Sequence, residues 1–263
     1  VSRATLHNQD EIDRKDVRIG DRVLIEKAGE IIPAVVKVNL DKRPSDAVAY
    51  SLFDTVGGCC PSCGSEIIRQ EGTVAWKCPH PLCPAQAANR LKQFVSRKAL
   101  DIEGVGTIVA EKSVERGVVN SITDLFRLDQ EALGTFNLGS DTEPRMLGEK
   151  NAAKIVATAE RAKTAPLNRW LYGLGIPQVG ESAAKEIARL HRDFAEVRDS
   201  SILPIIRELP PQKRKEEVPE IADYQVSGEI GPVVAASVIN FFTSEAGARL
   251  LQALSELGID HKS

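Results

Sequence analysis

Residues 59–83 read CCPSCGSEIIRQEGTVAWKCPHPLC, and all five cysteines of the chain fall inside them: Cys59, Cys60, Cys63, Cys78 and Cys83. Cys60-Pro-Ser-Cys63 and Cys78-Pro-His-Pro-Leu-Cys83 are two short knuckles about fourteen residues apart. Four thiolates on two tight turns suit the tetrahedral coordination of one structural zinc, which leaves no open position for catalysis. Gly64 follows the first knuckle as a turn residue. Pro61, Pro79, Pro81 and Pro84 stiffen both knuckles and lower the entropy lost on binding metal. A disulfide framework fits less well, because its cysteines would be spread over the fold they staple. Cys60 supplies the two-residue spacing to Cys63, so Cys59 reads as a bystander. His80 reads as a surface residue, since four thiolates already fill the site.

On the N-terminal side, residues 1–56 read as strands. Val23 and Ile25 alternate with Arg22 and Glu26, turns fall at Gly20-Asp21 and Ala28-Gly29, and Ile31, Ile32, Val35, Val36 and Val38 follow around Pro33. Short, β-branched strands at this spacing predict a small all-β barrel. The 6–12 stretch, Leu-His-Asn-Gln-Asp-Glu-Ile, reads as a polar turn or helical piece between strands.

On the C-terminal side the period changes to helical. Residues 86–95 place Ala87, Leu91, Phe94 and Val95 on one face. Over residues 59–98, six basic side chains (Arg69, Lys77, Arg90, Lys92, Arg97, Lys98) stand against two acidic ones (Glu66, Glu71). Farther on, a pattern of apolar residue, Gly, three residues and Ala occurs four times. The copies are Val105-Gly106-Thr-Ile-Val-Ala110, Leu147-Gly148-Glu-Lys-Asn-Ala152, Val179-Gly180-Glu-Ser-Ala-Ala184 and Ile230-Gly231-Pro-Val-Val-Ala235. Each reads as a helix, a tight glycine turn and a second helix, with glycine permitting the turn torsions and alanine the close helix packing. The first N–H groups of the second helix have no intrahelical partner, and with the helix dipole they suit a phosphate. That is the grip of a helix-hairpin-helix module on a nucleic-acid backbone, which reads no sequence. Gly106, Gly148, Gly180 and Gly231 are therefore the candidate phosphate sites. The fourth copy is expected to contribute no more than the others, because Pro232 offers no N–H. Residues 210–219, charged and bounded by prolines, read as an exposed insertion or linker.

Composition sets the outer bounds. The chain has 263 residues, 42% hydrophobic and 27% charged, with a net charge of -3. No run approaches ~18 apolar residues, so no membrane span is expected, and no secretion signal opens the chain. The net charge alone would not suggest nucleic acid. Backbone amides supply partial positive charge without lysines, which reconciles the two. The chain opens on Val1 and its only methionine is Met146, so it reads as a piece of a longer polypeptide.

Together these blocks resemble the C-terminal portion of bacterial NAD-dependent DNA ligases. The strings that carry the likeness are Ala4-Thr-Leu-His-Asn8, Arg18-Ile-Gly-Asp21, Lys27-Ala-Gly-Glu-Ile-Ile-Pro33, Phe94-Val-Ser-Arg97 and Leu171-Tyr-Gly-Leu-Gly-Ile-Pro-Gln-Val-Gly-Glu181. The resemblance implies a multidomain fold: an oligonucleotide-binding (OB-fold) barrel over 1–56, a four-cysteine zinc finger over 57–86, and an all-α helix-hairpin-helix domain with four repeats over 87–260. It implies one structural zinc on Cys60, Cys63, Cys78 and Cys83. It implies DNA contacts near a nick from Lys27, Ile31 and Ile32, a cation on a phosphate with apolar residues against the minor groove. Ile31 and Ile32 as ordinary barrel core is the alternative.

For the intact enzyme it implies nick sealing in replication and repair. A lysine of an upstream adenylation domain takes AMP from NAD, and magnesium assists. That lysine sits in a Lys-x-Asp-Gly motif, which this chain lacks, so no catalytic residue is expected here and the chain alone should not seal nicks. The adenylation and BRCT domains are expected to lie outside it, with Val1 falling where the barrel begins. Nicked duplex DNA and the upstream domain are the implied partners, for a monomeric, cytoplasmic, nucleoid-associated protein. The 140–144 and 210–219 stretches look longer than the family pattern. A non-enzymatic repair module built of the same parts is the competing reading, and a protein-binding zinc and helix scaffold a third. With 5% aromatic residues, the chain lacks the stacking platforms of single-strand binders, which points to duplex.

Overall fold

The 6–12 stretch leads into helix α1 (Gln9–Lys15), whose first turn is capped by the Asn8 side chain accepting the Glu11 N–H at 3.0 Å. In the computed structural model the described residues are 1–28, 32–69, 72–80 and 83–259. They fall into two compact units, Val1–Cys83 and Pro84 onward.

In the first unit, strands β1 (Val23–Ala28) and β2 (Ile32–Val38) pair antiparallel from Val23↔Val38 to Ala28↔Ile32, with a register shift between Leu24 and Ile25. Thr5 bridges Ala34 and Arg18 bridges Ala49. A short helix α2 (Leu52–Thr55) is capped by Ser51. Strands β3 (Ile68–Arg69) and β4 (Trp76–Lys77) form a second two-stranded sheet. The expected barrel is not closed among the described residues: two strands and isolated bridges cannot surround an interior. Among the described residues before Gly57 only Ile12, Ala34 and Val35 are buried apolar side chains.

The Arg18-Ile-Gly-Asp21 string has a local explanation. The Asp21 side chain, 1% exposed, accepts the Arg18 N–H at 2.8 Å and the Arg43 guanidinium at 2.9 and 3.0 Å. Arg43 holds that carboxyl below the usual carboxylate range. Gly20, at φ +91°, makes the turn that lets Asp21 fold back.

The second unit is helical: α3 (Pro84–Phe94), α4 (Thr107–Glu115), α5 (Gln130–Gly134), α6 (Glu149–Ala162), α7 (Leu167–Gly173), α8 (Glu181–Leu190), α9 (Phe194–Arg198), α10 (Ile202–Arg207), α11 (Pro219–Ala222), α12 (Pro232–Thr243) and α13 (Glu245–Glu256). The helices α4, α6 and α8 each pack on the helix before them, and α12 packs on α10. One continuous core runs through the unit. At its centre Trp170, fully buried, stacks on Phe126 at 5.7 Å and meets Phe94 and Phe194 edge-on at 5.5 and 6.2 Å. We expect Trp170→Ala to cost the helical unit about 3–5 kcal/mol, measured by denaturant unfolding.

Two expectations are corrected. On α3 the buried stripe is Ala88, Leu91, Phe94 and then Val95; Ala87 is only partly covered, because positions 88, 91 and 95 share one face at helical pitch. The 210–219 stretch is more than an exposed insertion. Most of its charged residues are exposed, but Val218 (5%) is anchored in the core, and Ile221 (1%) follows it there on the single turn of α11 that Pro219 starts.

The α8 side chains also tie this region down. Glu186 accepts from Arg189 at 2.9 Å and from the Ser227 N–H at 2.7 Å, and Arg189 reaches the Tyr224 carbonyl at 2.9 Å. Chiefly through Arg189, the Glu186 carboxyl is lowered from 4.5 to about 2. A depressed carboxylate stabilises the fold above its unfolded value and loses that stabilisation as pH falls through the folded one. We therefore expect the 224–227 segment to loosen in that acid window, and Glu186→Gln to remove this pH dependence, followed by amide exchange.

Candidate metal centre and nucleic-acid interface

The four cysteines of the two knuckles converge. The sulfurs of Cys60, Cys63, Cys78 and Cys83 all lie within 4.8 Å of one another, with Cys60 to Cys83 at 3.8 Å and Cys63 to Cys78 at 3.5 Å. A tetrahedral zinc with Zn–S bonds of about 2.3 Å sets its sulfurs ~3.8 Å apart, so the spacing fits that ion. The first knuckle is closed by the Gly64 N–H donating to the Cys60 carbonyl at 2.9 Å, with Gly64 at φ +72°. The Ser65 hydroxyl and backbone N–H donate to the Cys63 sulfur and lower its thiol to about 6, while burial pushes Cys78 up. Cys59 is exposed and outside the cluster. His80 is also outside it, but it is not the surface residue expected: its Nδ1 is buried without a hydrogen-bond partner among the described residues. Phe53 and Trp76 pack on each other with ring centroids 4.6 Å apart.

Of the strand residues, Lys27 is exposed on β1 opposite Pro33. Ile32 is 59% exposed, so it is not core here. Ile31 lies outside the described residues.

The four repeat glycines occupy one structural position. Each is the N-cap of its helix: Gly106 on α4, Gly148 on α6, Gly180 on α8 and Gly231 on α12. Each carbonyl accepts the first helical bond from the repeat alanine, Ala110, Ala152, Ala184 or Ala235, at 2.9–3.0 Å. All four alanines are 0% exposed, and the preceding Val105, Leu147, Val179 and Ile230 are buried too. The apolar and alanine positions therefore hold the helix pairs together.

The glycines do something else. None of the four helices has a side chain hydrogen-bonded to its first-turn amides at the cap. Five other helices are capped by side chains, with Asn8, Ser51, Asp129, Asp193 and Ser244 each accepting a first-turn N–H, whereas the N-cap residues of α7, α10 and α11 give no side-chain cap. Turn torsion does not require glycine at three of the repeats. Gly106, Gly180 and Gly231 sit at φ -76°, -81° and -93°, a region open to any residue, and only Gly148, at +85°, is left-handed. A Cβ added at any of the four would meet nothing within 4 Å. Among the described residues, then, no neighbour requires a bare backbone at positions 106, 180 and 231, and a Cβ at each cap would stand in open space.

The repeats also differ. The residue two before the glycine is left-handed in the first and third, Gly104 at +92° and Gln178 at +66°, so those two turns share one geometry. A side chain at Gly104 would strike Ile155 at 2.7 Å, so that glycine serves packing. The 140–144 stretch belongs to a tight loop before α6, in which Asn137 Oδ1 accepts the N–H of Gly139 and of Arg145, both at 2.8 Å. That loop leads into the one left-handed cap, Gly148.

Three of the six basic residues counted over 59–98 are paired, the first being Arg69, 2.7 Å from Asp10. Lys92 lies 3.5 Å from Glu111 on α4, and Lys98 lies 3.0 Å from Glu181, the first residue of α8. Glu181 is held below its usual range by Lys185 and then Lys98. Among the described residues no helix is long and apolar enough to cross a membrane.

Comparison with known proteins bears on the OB-type segment and the cysteine region. Residues 1–47 match the NAD-dependent DNA ligase OB-fold domain, and residues 59–85 the NAD-dependent DNA ligase C4 zinc finger domain. Over all of its length the chain is 43% identical to the DNA ligase of Akkermansia muciniphila, covering 39% of that protein. It is 40% identical over 99% of its length to the DNA ligase of Rhodospirillum rubrum, and 38% identical over 98% to that of Synechococcus sp., covering 36% and 33% of them. The chain thus spans between a third and two fifths of the length of these relatives. With an OB-fold match, a four-cysteine zinc-finger match and a helical half continuous with both in every one of these alignments, the chain belongs to the NAD-dependent DNA ligase family.

Proposed function

We propose that this chain is the DNA-gripping C-terminal part of an NAD-dependent DNA ligase, and that it holds nicked duplex while the 3′-hydroxyl and 5′-phosphate are joined. The observation that carries the reading is the set of four helix ends capped by glycine, bare of side chains and open in front. Such ends accept a phosphate through backbone amides, which binds duplex without reading sequence. The α3–α4, α5–α6, α7–α8 and α10–α12 pairs act as four helix-hairpin-helix units within 87–260, after an OB-type segment over 1–56 and a zinc finger over 57–86. Gly106 and Gly180 are the leading phosphate sites, Gly148 supports them, and Gly231 is weakened by Pro232. Lys27 and the Ile31-Ile32 pair contact DNA near the nick.

Cys60, Cys63, Cys78 and Cys83 hold one structural zinc. With all four positions filled by protein, the ion cross-links the two knuckles and takes no part in the reaction. NAD, magnesium and the adenylated lysine belong to the adenylation domain, which this chain does not contain. The working partners are that domain and nicked DNA, in the cytoplasm beside the nucleoid.

Sealing of a nicked duplex by the adenylation domain of a relative tests this, with and without the chain added in trans. Stimulation of sealing by the chain, with no sealing by the chain alone, is the expected result. No stimulation together with tight duplex binding would instead favour a non-enzymatic DNA-binding module.

A further inference from the structure

His191 ends α8 as its C-cap and is a buried polar side chain of the helical unit, 5% exposed. Its Nδ1 lies 2.8 Å from the Ile187 carbonyl, which can only accept, so Nδ1 carries the proton and Nε2 is an acceptor. The Ser200 hydroxyl donates to Nε2 at 2.7 Å. In turn Ser200 Oγ accepts the Ile202 and Leu203 N–H groups at 3.2 and 3.1 Å, capping α10 where the side chain of Ser201 does not. A serine hydroxyl has one proton and two lone pairs, and all three are used. Hydrogen bonds therefore run unbroken from the end of α8 to the start of α10. The α10 helix packs on α12, which starts at Gly231, whereas α8 starts at Gly180.

We propose that His191 and Ser200 are positioning residues: together they fix the fourth repeat to the third through α10, and a proton on the ring opens that tie. An imidazolium has a proton on both nitrogens, so Nε2 turns from acceptor to donor. It then faces a hydroxyl whose lone pairs are already taken, and either the ring loses its partner or α10 loses its cap. Burial holds the ring below the ordinary imidazole range, opposed by Glu196 and Asp193 at the start of α9. Glu196 is itself tied to Arg192 at 2.6 Å. Asp199 and Tyr224 border the same hollow, with Asp199 paired to Arg198 at 2.9 Å, and of α10 only Ile202 reaches it. On α8, Glu186 is turned to Arg189 and Ser227. A depressed histidine contributes stability that is whole above pH 6.5 and lost as pH falls through the folded value. The tie stands on these hydrogen bonds, and its consequence for DNA rests on the proposed phosphate sites.

The test follows the zinc-loaded chain from about pH 8 to about pH 4.5. NMR reports the His191 ring, and amide exchange at 202–206, corrected for its intrinsic pH dependence, reports α10. Protection of α10 is expected to fall about tenfold or more over the pH range in which the ring gains its proton, with α6 unchanged. His191→Gln keeps an acceptor for Ser200 but cannot charge, and should leave α10 protected throughout. Glu186→Gln should leave the transition in place. Ser200→Ala should lower α10 protection about fivefold at every pH, through loss of the cap. A ring that stays neutral to the lowest pH overturns the proposal. So does α10 protection that is unchanged while the ring titrates, or that falls equally in His191→Gln. Duplex affinity measured on the same samples separates the two readings: a lost tie with unchanged affinity counts against Gly231 as a phosphate site and leaves the tie standing.

Discussion

The double substitution Gly106→Asp, Gly180→Asp is expected to weaken duplex DNA binding about 100-fold or more while the helical unit stays folded. Both positions have the torsions of an ordinary N-cap, at which aspartate is among the preferred residues. A Cβ there meets nothing. The new carboxylates should accept first-turn N–H groups, as Asp129 and Asp193 already do on α5 and α9. The fold therefore keeps or slightly gains stability. The amides are then occupied, and a negative charge stands where a phosphate would approach. Hydrogen bonds to a charged group contribute roughly 1.5–3 kcal/mol each, so losing two sites reaches the stated effect. Anisotropy on a labelled duplex, paired with thermal unfolding, checks both halves. Gly148→Asp is a poorer probe, because φ +85° strains any side chain there. Unchanged affinity in the double variant would show that the glycine ends do not touch DNA.

Stripping metal with a strong chelator is expected to unfold the cysteine region while the helical unit remains. Structural zinc sites of this type contribute about 10–16 kcal/mol at neutral pH. Little else holds the region together. Its strands are two residues long, and among the described residues between 57 and 83 no apolar side chain is buried apart from Cys60 and Cys83. Trp76 reports the change, because it loses its contact with Phe53, whereas Trp170 in the helical core should not respond. One zinc per chain before chelation and a red shift from Trp76 after it are the expected readings. Cys63→Ser should reproduce the unfolded form at any zinc concentration that saturates the parent chain.

The metal site and the repeats were legible because spacing alone encodes them. Two knuckles of cysteines bring four sulfurs to one point, and a Gly four residues before a buried Ala recurs at the starts of α4, α6, α8 and α12. Why those positions are glycine was not legible. Torsion was the natural explanation, yet three of the four glycines adopt torsions open to any residue, and only the empty space in front of them reveals the difference. The strands before residue 57 were legible and the OB-fold match over residues 1–47 bears the reading out, but β-branched spacing reports strands and not how many neighbours each strand finds. On α3, single-residue register separates Ala87 from Ala88, finer than an apolar count resolves. In the 210–219 stretch the charges hid one anchor, Val218, and Ile221 just beyond it sits on a one-turn helix too short to show a period. The pairing of Lys98 with Glu181 depends on residues 83 apart in sequence, beyond any local pattern.

The most direct measurement is equilibrium binding of the zinc-loaded chain to nicked duplex, intact duplex and single strands of one sequence, each at low and at moderate salt. Duplex should bind more tightly than single strands, with no dependence on base sequence, and the affinity should fall as salt rises, because phosphate contacts release counterions. A folded, zinc-loaded chain that binds no duplex at low salt, or that prefers single strands, would contradict the assignment of these glycine-capped helices as a grip on the duplex backbone.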